Sequence, residues 1–474
     1  MYMIPTPQLE ELVLTQKELF LSRNPGIPRE IETVRFVKTD AIVVITGIRR
    51  CGKSTLMRQL SAQYSDFLYI NFDDDRLMDF SLSDFPTLML VFEKTSPGIK
   101  VLFIDEIQNV SGWERFIRRI HDEGYKVFLT GSNANLLSAE LGTHLTGRYT
   151  KIALYPFSFR ECLLFRSIDT DRITEKKKAA ILAEFDRYLA GGGFPEYLKY
   201  GDTDYLKRCY DDILFRDIIS RFKIREVKGF RQLAHYLFTN TANAATYNAL
   251  KNTLGFKSVV SVRDYVGFLE EAYLIFEIFR YDFSLKKQYV NEKKLYCIDT
   301  GMRNAVAFRF SEDIGRILEN LVLIELLRRG KSVYFFKNPK ECDFVTEDKG
   351  KITGAIQVCY ELTRENRDRE LGGIAGAMNM HNLAAGLILT YHQEETITLG
   401  NAVIQVLPVW KWLIEYRDDI DFPPESVIKP AYVKKIKNVA VNLAKEKGKT
   451  YASMDEFIRN IKQPDRPGSK RHDP

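Results

Sequence analysis

Residues 41–55, Ala41-Ile-Val-Val-Ile-Thr-Gly47-Ile-Arg-Arg-Cys-Gly52-Lys-Ser-Thr55, decide how the rest of the chain is read. An apolar run stops at Gly47, four residues intervene, and Gly52-Lys53-Ser54 opens a stretch with amphipathic spacing over residues 55–64. That order, strand then G-x-x-x-x-G-K-[ST] then helix, is the phosphate-binding loop. Gly47 and Gly52 allow backbone conformations that a side chain forbids, so that successive N–H groups from Ile48, Arg49, Arg50 and Cys51 can converge on phosphate oxygens. The helix N-terminus adds unpaired donors and the positive end of a dipole. Lys53 would reach β- and γ-phosphates, the Ser54 hydroxyl would ligate Mg²⁺, and Thr55 completes the set, so ATP and Mg²⁺ are the expected ligands.

Working outward, a chain of 474 residues with 45% hydrophobic and 12% aromatic content can bury several cores and is expected to divide into roughly three domains. Six cysteines are scattered, with no C-x-x-C pair and no clustered histidine, so neither a disulfide framework nor a zinc site is suggested. A reducing cytoplasm is the expected compartment. No apolar run reaches the length of a membrane span and no signal peptide is expected. The net charge of +6 is unevenly placed: residues 426–474 hold twelve Lys or Arg against five Asp or Glu, a balance of +7, which leaves −1 for residues 1–425. Such a tail either holds nucleic acid through phosphate contacts or is a solvated end.

The second informative stretch is Lys100-Val-Leu-Phe-Ile-Asp105-Glu106-Ile-Gln108. A short apolar run of the buried parallel-strand type delivers two acids at the point where it leaves the sheet. This is a Walker B pattern: Asp105 would hold Mg²⁺ and Glu106 would act as general base towards water. Between the two motifs, residues 67–72 form another strand ending in Asp73, Asp74 and Asp75, which either border the site or make a solvated turn. A further strand at 125–130 ends in Gly131-Ser132-Asn133, and open α/β sheets bind ligand at that strand edge, so Ser132 or Asn133 can contact the γ-phosphate or the attacking water. Arg148, before a strand at 151–154, is a candidate to neutralise transition-state charge in its own subunit or a neighbour's, with a surface ion pair as the alternative.

The order of these motifs, together with Thr-Gly-Ser-Asn-Ala from residue 130, Gly147-Arg-Tyr and Tyr155-Pro-Phe-Ser-Phe-Arg-Glu161, resembles the AAA-superfamily ATPases with an added central strand. In particular it is similar to a prokaryotic family of uncharacterised ATPases whose C-terminal domain is related to the PD-(D/E)xK nuclease fold. The fold class expected is α/β: a P-loop ATPase with a parallel sheet, a helical lid, a winged helix and a C-terminal α/β nuclease-like domain. The corresponding boundaries are 1–40 for a helical lead-in, 41–160 for the ATPase domain, 161–227 for the lid, 228–298 for the winged helix, 299–420 for the nuclease-like domain and 421–474 for the basic tail. Gly191-Gly-Gly193 interrupts the lid, either as a nucleotide-sensitive hinge or as a tight turn between helices.

Residues 228–298 read as helices at 231–240, 246–254 and 262–272, then strands at 274–280 and 294–298 separated by Lys286, Lys287, Lys293 and Lys294. Three helices and a basic ribbon make a winged helix, used either on DNA, with Arg263 as the residue offered to bases, or as a packing module. In the last domain Glu319 and Asp343 match the PD-(D/E)xK arrangement, while Gln357 stands where a metal carboxylate belongs and Cys359 where the lysine belongs. A neutral amide binds Mg²⁺ poorly and a thiol supplies no fixed positive charge. The sequence therefore predicts an ATP-hydrolysing switch attached to a degenerate nuclease fold that leaves DNA uncut, with DNA, an unknown protein partner and further copies of the chain as candidate partners. A metal-dependent nuclease loaded by its ATPase and a non-hydrolysing nucleotide sensor are the alternatives.

Overall fold

The computed structural model describes residues 4–131, 147–307, 314–400 and 402–415. Five short strands build the first sheet: β1 (Ile42–Gly47), β2 (Leu68–Asn71), β3 (Val101–Asp105), β4 (Lys126–Gly131) and β5 (Tyr149–Leu154), in the order β2-β3-β4-β1-β5. All its pairs are parallel, and β4 lies between the phosphate-loop strand and the Asp-Glu strand. Side chains alternate across the sheet as a period of two requires. Val43, Ile45, Phe103 and Phe128 face one core, while Ile42, Val44, Leu102, Ile104, Val127 and Leu129 face the other. Helices cover both faces, which is why these strands read as unbroken apolar runs. Phe103 stacks on Phe128 with ring centroids 4.4 Å apart.

The lead-in is a helix, Thr6–Ser22, that buries Leu9, Leu12, Val13 and Phe20 against the sheet and leaves Leu14 and Leu19 exposed. Its Gln16 amide acts as a surrogate strand neighbour, donating to the Asn71 carbonyl at 3.1 Å and accepting from the Asn71 N–H at 2.7 Å. That closes an edge of the sheet that would otherwise be open to further pairing.

After β5 the chain is helical as expected, with Phe159–Phe165, Glu175–Gly191, Pro195–Tyr200 and Thr203–Asp212, the last running straight into an eight-residue π-helix, Ile213–Ser220. The glycines at 191–193 are a close-packed turn: a Cβ on Gly193 would fall 2.1 Å from the Phe157 carbonyl oxygen, and the Gly193 N–H donates to buried Asp299 at 2.7 Å.

Helices Val227–Thr239, Tyr247–Leu254 and Val259–Glu271 follow, with an antiparallel sheet of β6 (Ala244–Ala245), β7 (Ile275–Phe279) and β8 (Lys293–Cys297) in the order β6-β8-β7. A short helix, Leu285–Val290, fills the β7–β8 connection. The core beneath the first sheet runs without a break through these helices to Leu274, Leu295 and Cys297. The segment is wired to the phosphate-loop strand directly, because the Tyr273 hydroxyl donates to Thr46 Oγ1 at 2.6 Å inside that core.

The C-terminal part is a six-stranded mixed sheet, β9 (Ser332–Lys337), β10 (Glu341–Asp348), β11 (Lys351–Val358), β12 (Ala385–Thr390), β13 (Glu395–Leu399) and β14 (Ala402–Pro408), ordered β13-β14-β12-β11-β10-β9. Helices Ile314–Arg328 and Arg367–His381 flank it. No helix among the described residues is long and apolar enough to cross a membrane.

Candidate nucleotide-binding site

The parallel sheet brings Gly47, Asn71, Asp105 and Gly131 to one edge, since Asn71 pairs with Asp105 and Thr46 with Gly131 in register. From β1 the chain must turn under the next strand. Gly47 has φ 148°, and a Cβ there would lie 2.1 Å from the Leu154 carbonyl oxygen, so only glycine fits. Gly52, at φ 102°, caps helix Lys53–Ser61. Lys53 is buried and rests its ammonium on the carbonyls of Gly47 and Ile48, at 3.1 and 3.3 Å. Both are neutral acceptors within the loop, which an incoming phosphate can replace. Cys51 is packed inward with its thiol against the Leu154 carbonyl, and burial pushes its pKa up.

Asp105 ends β3 and accepts a hydrogen bond from the Thr130 hydroxyl, which in turn accepts the Glu106 N–H at 3.0 Å. Thr130 thus holds both acids in place. Glu106 sits in the left-handed region at φ 52°, costly for a residue with a side chain. Its carboxylate accepts from the Gln108 amide nitrogen. Burial raises the Glu106 pKa; nearby Asp105 adds to the rise and the Lys53 charge opposes it. Beside it opens a cavity of about 410 Å³ lined by Arg49, Asp73, Glu106, Gln108, Trp113 and Asp217. The Gln108 amide oxygen and the Trp113 indole N–H are buried without a partner among the described residues. Ser54 and Asp105 present the hard oxygen donors that suit Mg²⁺.

Sequence reasoning missed several residues of this neighbourhood. Arg29 comes from the lead-in, to which no chemistry was assigned, and donates to the Cys51 and Tyr155 carbonyls and to Glu161. Asp217 reaches in from the π-helix. No local pattern announces either, whereas Gln108 stands inside the Asp-Glu motif itself. The acidic run at 73–75 divides its duties: Asp73 lines the cavity, while Asp74 caps the turn Asp75–Leu77 and pairs with Arg76.

Of the two readings of Arg148, the structure shows the surface ion pair. Arg148 lies beside the start of β1, its carbonyl accepting the Ile42 N–H, so a whole strand of about 20 Å separates it from the phosphate loop. Its guanidinium pairs with Asp122 near the surface. It cannot reach its own subunit's site. Ser132 and Asn133 lie outside the described residues, as does the basic tail.

The basic ribbon is corrected. Lys293 and Lys294 are buried, and Lys294 turns into the C-terminal sheet, 2.8 Å from Glu319, 2.8 Å from Glu341 and 3.0 Å from Asp343. The Tyr296 hydroxyl donates to Glu319 at 2.7 Å. Gln357 is committed on both sides, accepting the Asp343 N–H at 3.2 Å and donating to Glu370 at 2.7 Å. The Lys294 ammonium thus reaches from β8 to the carboxylates of Glu319, Glu341 and Asp343. Burial pushes the Cys359 thiol up to about 12, so it is inert. Among the described residues no group of three or more His, Cys, Asp or Glu is arranged to hold a metal ion.

A parallel sheet with a glycine-framed phosphate loop and an Asp-Glu strand defines a P-loop domain of the AAA type, and a family model described as "AAA domain" matches residues 39–163. A second, described as a domain of unknown function (DUF8612), matches residues 182–313. The chain is 35% identical over 430 residues to an uncharacterized protein of Methanocaldococcus jannaschii, covering 86% of this chain and 95% of that one. It is 29% identical over 402 residues to an uncharacterized protein of Haemophilus influenzae, covering 81% and 97%. The chain belongs to the family of AAA-domain proteins that includes the Methanocaldococcus protein. Among solved structures, AMPPCP-bound DnaA from Aquifex aeolicus aligns over 57% of this chain and 90% of its own, at 13% identity and a TM-score of 0.24, too slight a likeness to carry an argument.

Proposed function

We propose that this protein binds ATP with Mg²⁺ and hydrolyses it, using the nucleotide state as a switch. The observation that carries the reading is the convergence of Lys53, Asp105 and Glu106 at one sheet edge beside a polar cavity. Backbone N–H groups of residues 48–52 and the Lys53 ammonium would bind the phosphates, and Glu106, with its raised pKa, would take the proton of the attacking water. Ser54 and Asp105 would hold Mg²⁺, which when bound neutralises phosphate charge. Ser132 and Asn133 remain candidates for contact with the terminal phosphate. Lys53→Ala should abolish ATP binding in calorimetric titration; undiminished affinity would end the proposal.

The division into lead-in 1–40, ATPase 41–160, lid 161–227, winged helix 228–298, nuclease-like domain 299–420 and tail 421–474 forms part of this reading. The three helices with sheet β6-β8-β7 support the winged helix. Its value to DNA is reduced: Arg263 is paired with Asp264, and of the four ribbon lysines only Lys286 and Lys287 remain exposed. We favour packing and relay as its role, the Tyr273–Thr46 hydrogen bond being the connection to the phosphate loop. The saturated Lys294 cluster weighs against the nuclease alternative.

A further inference from the structure

The Arg49 side chain leaves the phosphate loop and reaches the helical segment. Its guanidinium meets the Asp217 carboxylate in a two-point fork, Nε to Oδ2 at 3.0 Å and Nη2 to Oδ1 at 2.9 Å. The pair is partly buried on the wall of the cavity that also holds Glu106. The hydrogen bonds it donates to Asp217 hold the guanidinium firmly in its charged form.

Asp217 is delivered by an unusual piece of backbone. Helix Thr203–Asp212 widens into the π-helix Ile213–Ser220, in which Ile213, Leu214 and Ile218 are buried. π-Turns are rare and cluster at functional sites because they re-aim side chains without ending the helix. Here the widened turn keeps three apolar residues in the core and still points a carboxylate at the phosphate loop. No other ion pair among those between described residues joins residues 48–52 to the helical segment.

A planar guanidinium fork fits a carboxylate and a phosphate equally well. It cannot engage both through the same two N–H groups. We propose that the Arg49 guanidinium is a binding group for the terminal phosphate of ATP, held in reserve by Asp217, so that ATP and the helical segment compete for it. The inference rests on the ATP reading above and adds the route by which the nucleotide is sensed: ATP takes the fork, Asp217 loses its partner, and segment 203–220 is released from the loop. ADP, which lacks the terminal phosphate, leaves the pair closed.

Titrating the full chain with Mg²⁺-ATP and with Mg²⁺-ADP tests this in four proteins: the native sequence, Asp217→Asn, Arg49→Gln and the double variant. Asp217→Asn is isosteric and frees the fork, so ATP should bind roughly tenfold tighter while ADP affinity stays unchanged. Arg49→Gln should weaken ATP roughly tenfold, and the double variant should match Arg49→Gln alone. If the ion pair merely orders the loop, Asp217→Asn weakens ATP and ADP alike, which overturns the proposal. Native protein that binds ATP with affinity indifferent to all three variants overturns it too, leaving the ATP reading intact. Failure of the native protein to bind ATP sinks both.

Discussion

Two buried lysines stand among acids in this molecule, and their surroundings differ. Lys53 donates to two loop carbonyls, with Asp105 and Glu106 near it and a cavity of about 410 Å³ beside Glu106, where two polar groups have no partner. Lys294 meets three carboxylates at 2.8 to 3.0 Å, and the neighbouring Tyr296 and Gln357 are already spent on Glu319, Asp343 and Glu370. The first arrangement leaves its cation on neutral carbonyls beside open space; the second ties its cation to three carboxylates. A buried charge cluster is a ligand site when something is left to satisfy, and a structural joint when nothing is.

The comparison is broken most directly by exchanging each lysine for a neutral residue. Lys53→Ala should lose ATP binding with little loss of stability. Lys294→Met should keep ATP binding and lose about 3–5 kcal/mol in urea denaturation, since three carboxylates are left without their cation. If Lys294→Met were neutral for stability, the cluster would not be a joint.

The next effect is a pH dependence. Glu319 has its pKa raised, by burial first and by the Asp343 charge second, with Lys294 opposing. A carboxyl raised on folding contributes stability that is full below its unfolded value near 4.5 and is lost as pH rises through the folded value. Stability of the native protein should therefore fall on the way from mildly acidic towards neutral pH, and Glu319→Gln should flatten that step. An identical pH profile in the variant would remove Glu319 from the account.

A smaller effect tests the connection between regions. Tyr273→Phe deletes the hydroxyl that donates to Thr46 and should cost about 1 kcal/mol, visible as a lowered urea midpoint. If that bond relays nucleotide state, the variant's midpoint should also rise less on addition of ATP than the native protein's does. Equal rises would reduce Tyr273 to packing.

The parallel sheet and the heart of the nucleotide site were legible because local chemistry wrote them. The glycine spacing of the loop, the apolar run into Asp105-Glu106 and the periodicity of residues 55–64 are all short-range. Observed strands start or end within a residue or two of the expected positions. What was not legible is long-range. Arg29 lies 22 residues before the Cys51 carbonyl it holds, and Asp217 lies 168 residues after Arg49. Lys294 was read as a ribbon lysine because a basic residue in an alternating strand is usually solvated; its acids lie 25 and 49 residues further on. Arg148 shows the opposite case: a candidate taken from a motif lies at the far end of a parallel strand, in the surface ion pair that was its alternative.

The central claim is that Glu106 serves hydrolysis at a site built to bind ATP, and phosphate release under saturating Mg²⁺-ATP addresses it in one measurement. The native protein should turn over, with Glu106 as the base towards water. Glu106→Gln should bind ATP with comparable affinity and release phosphate at least about a hundredfold more slowly. Equal phosphate release by the two proteins, or none from a native protein that binds ATP, would contradict the account.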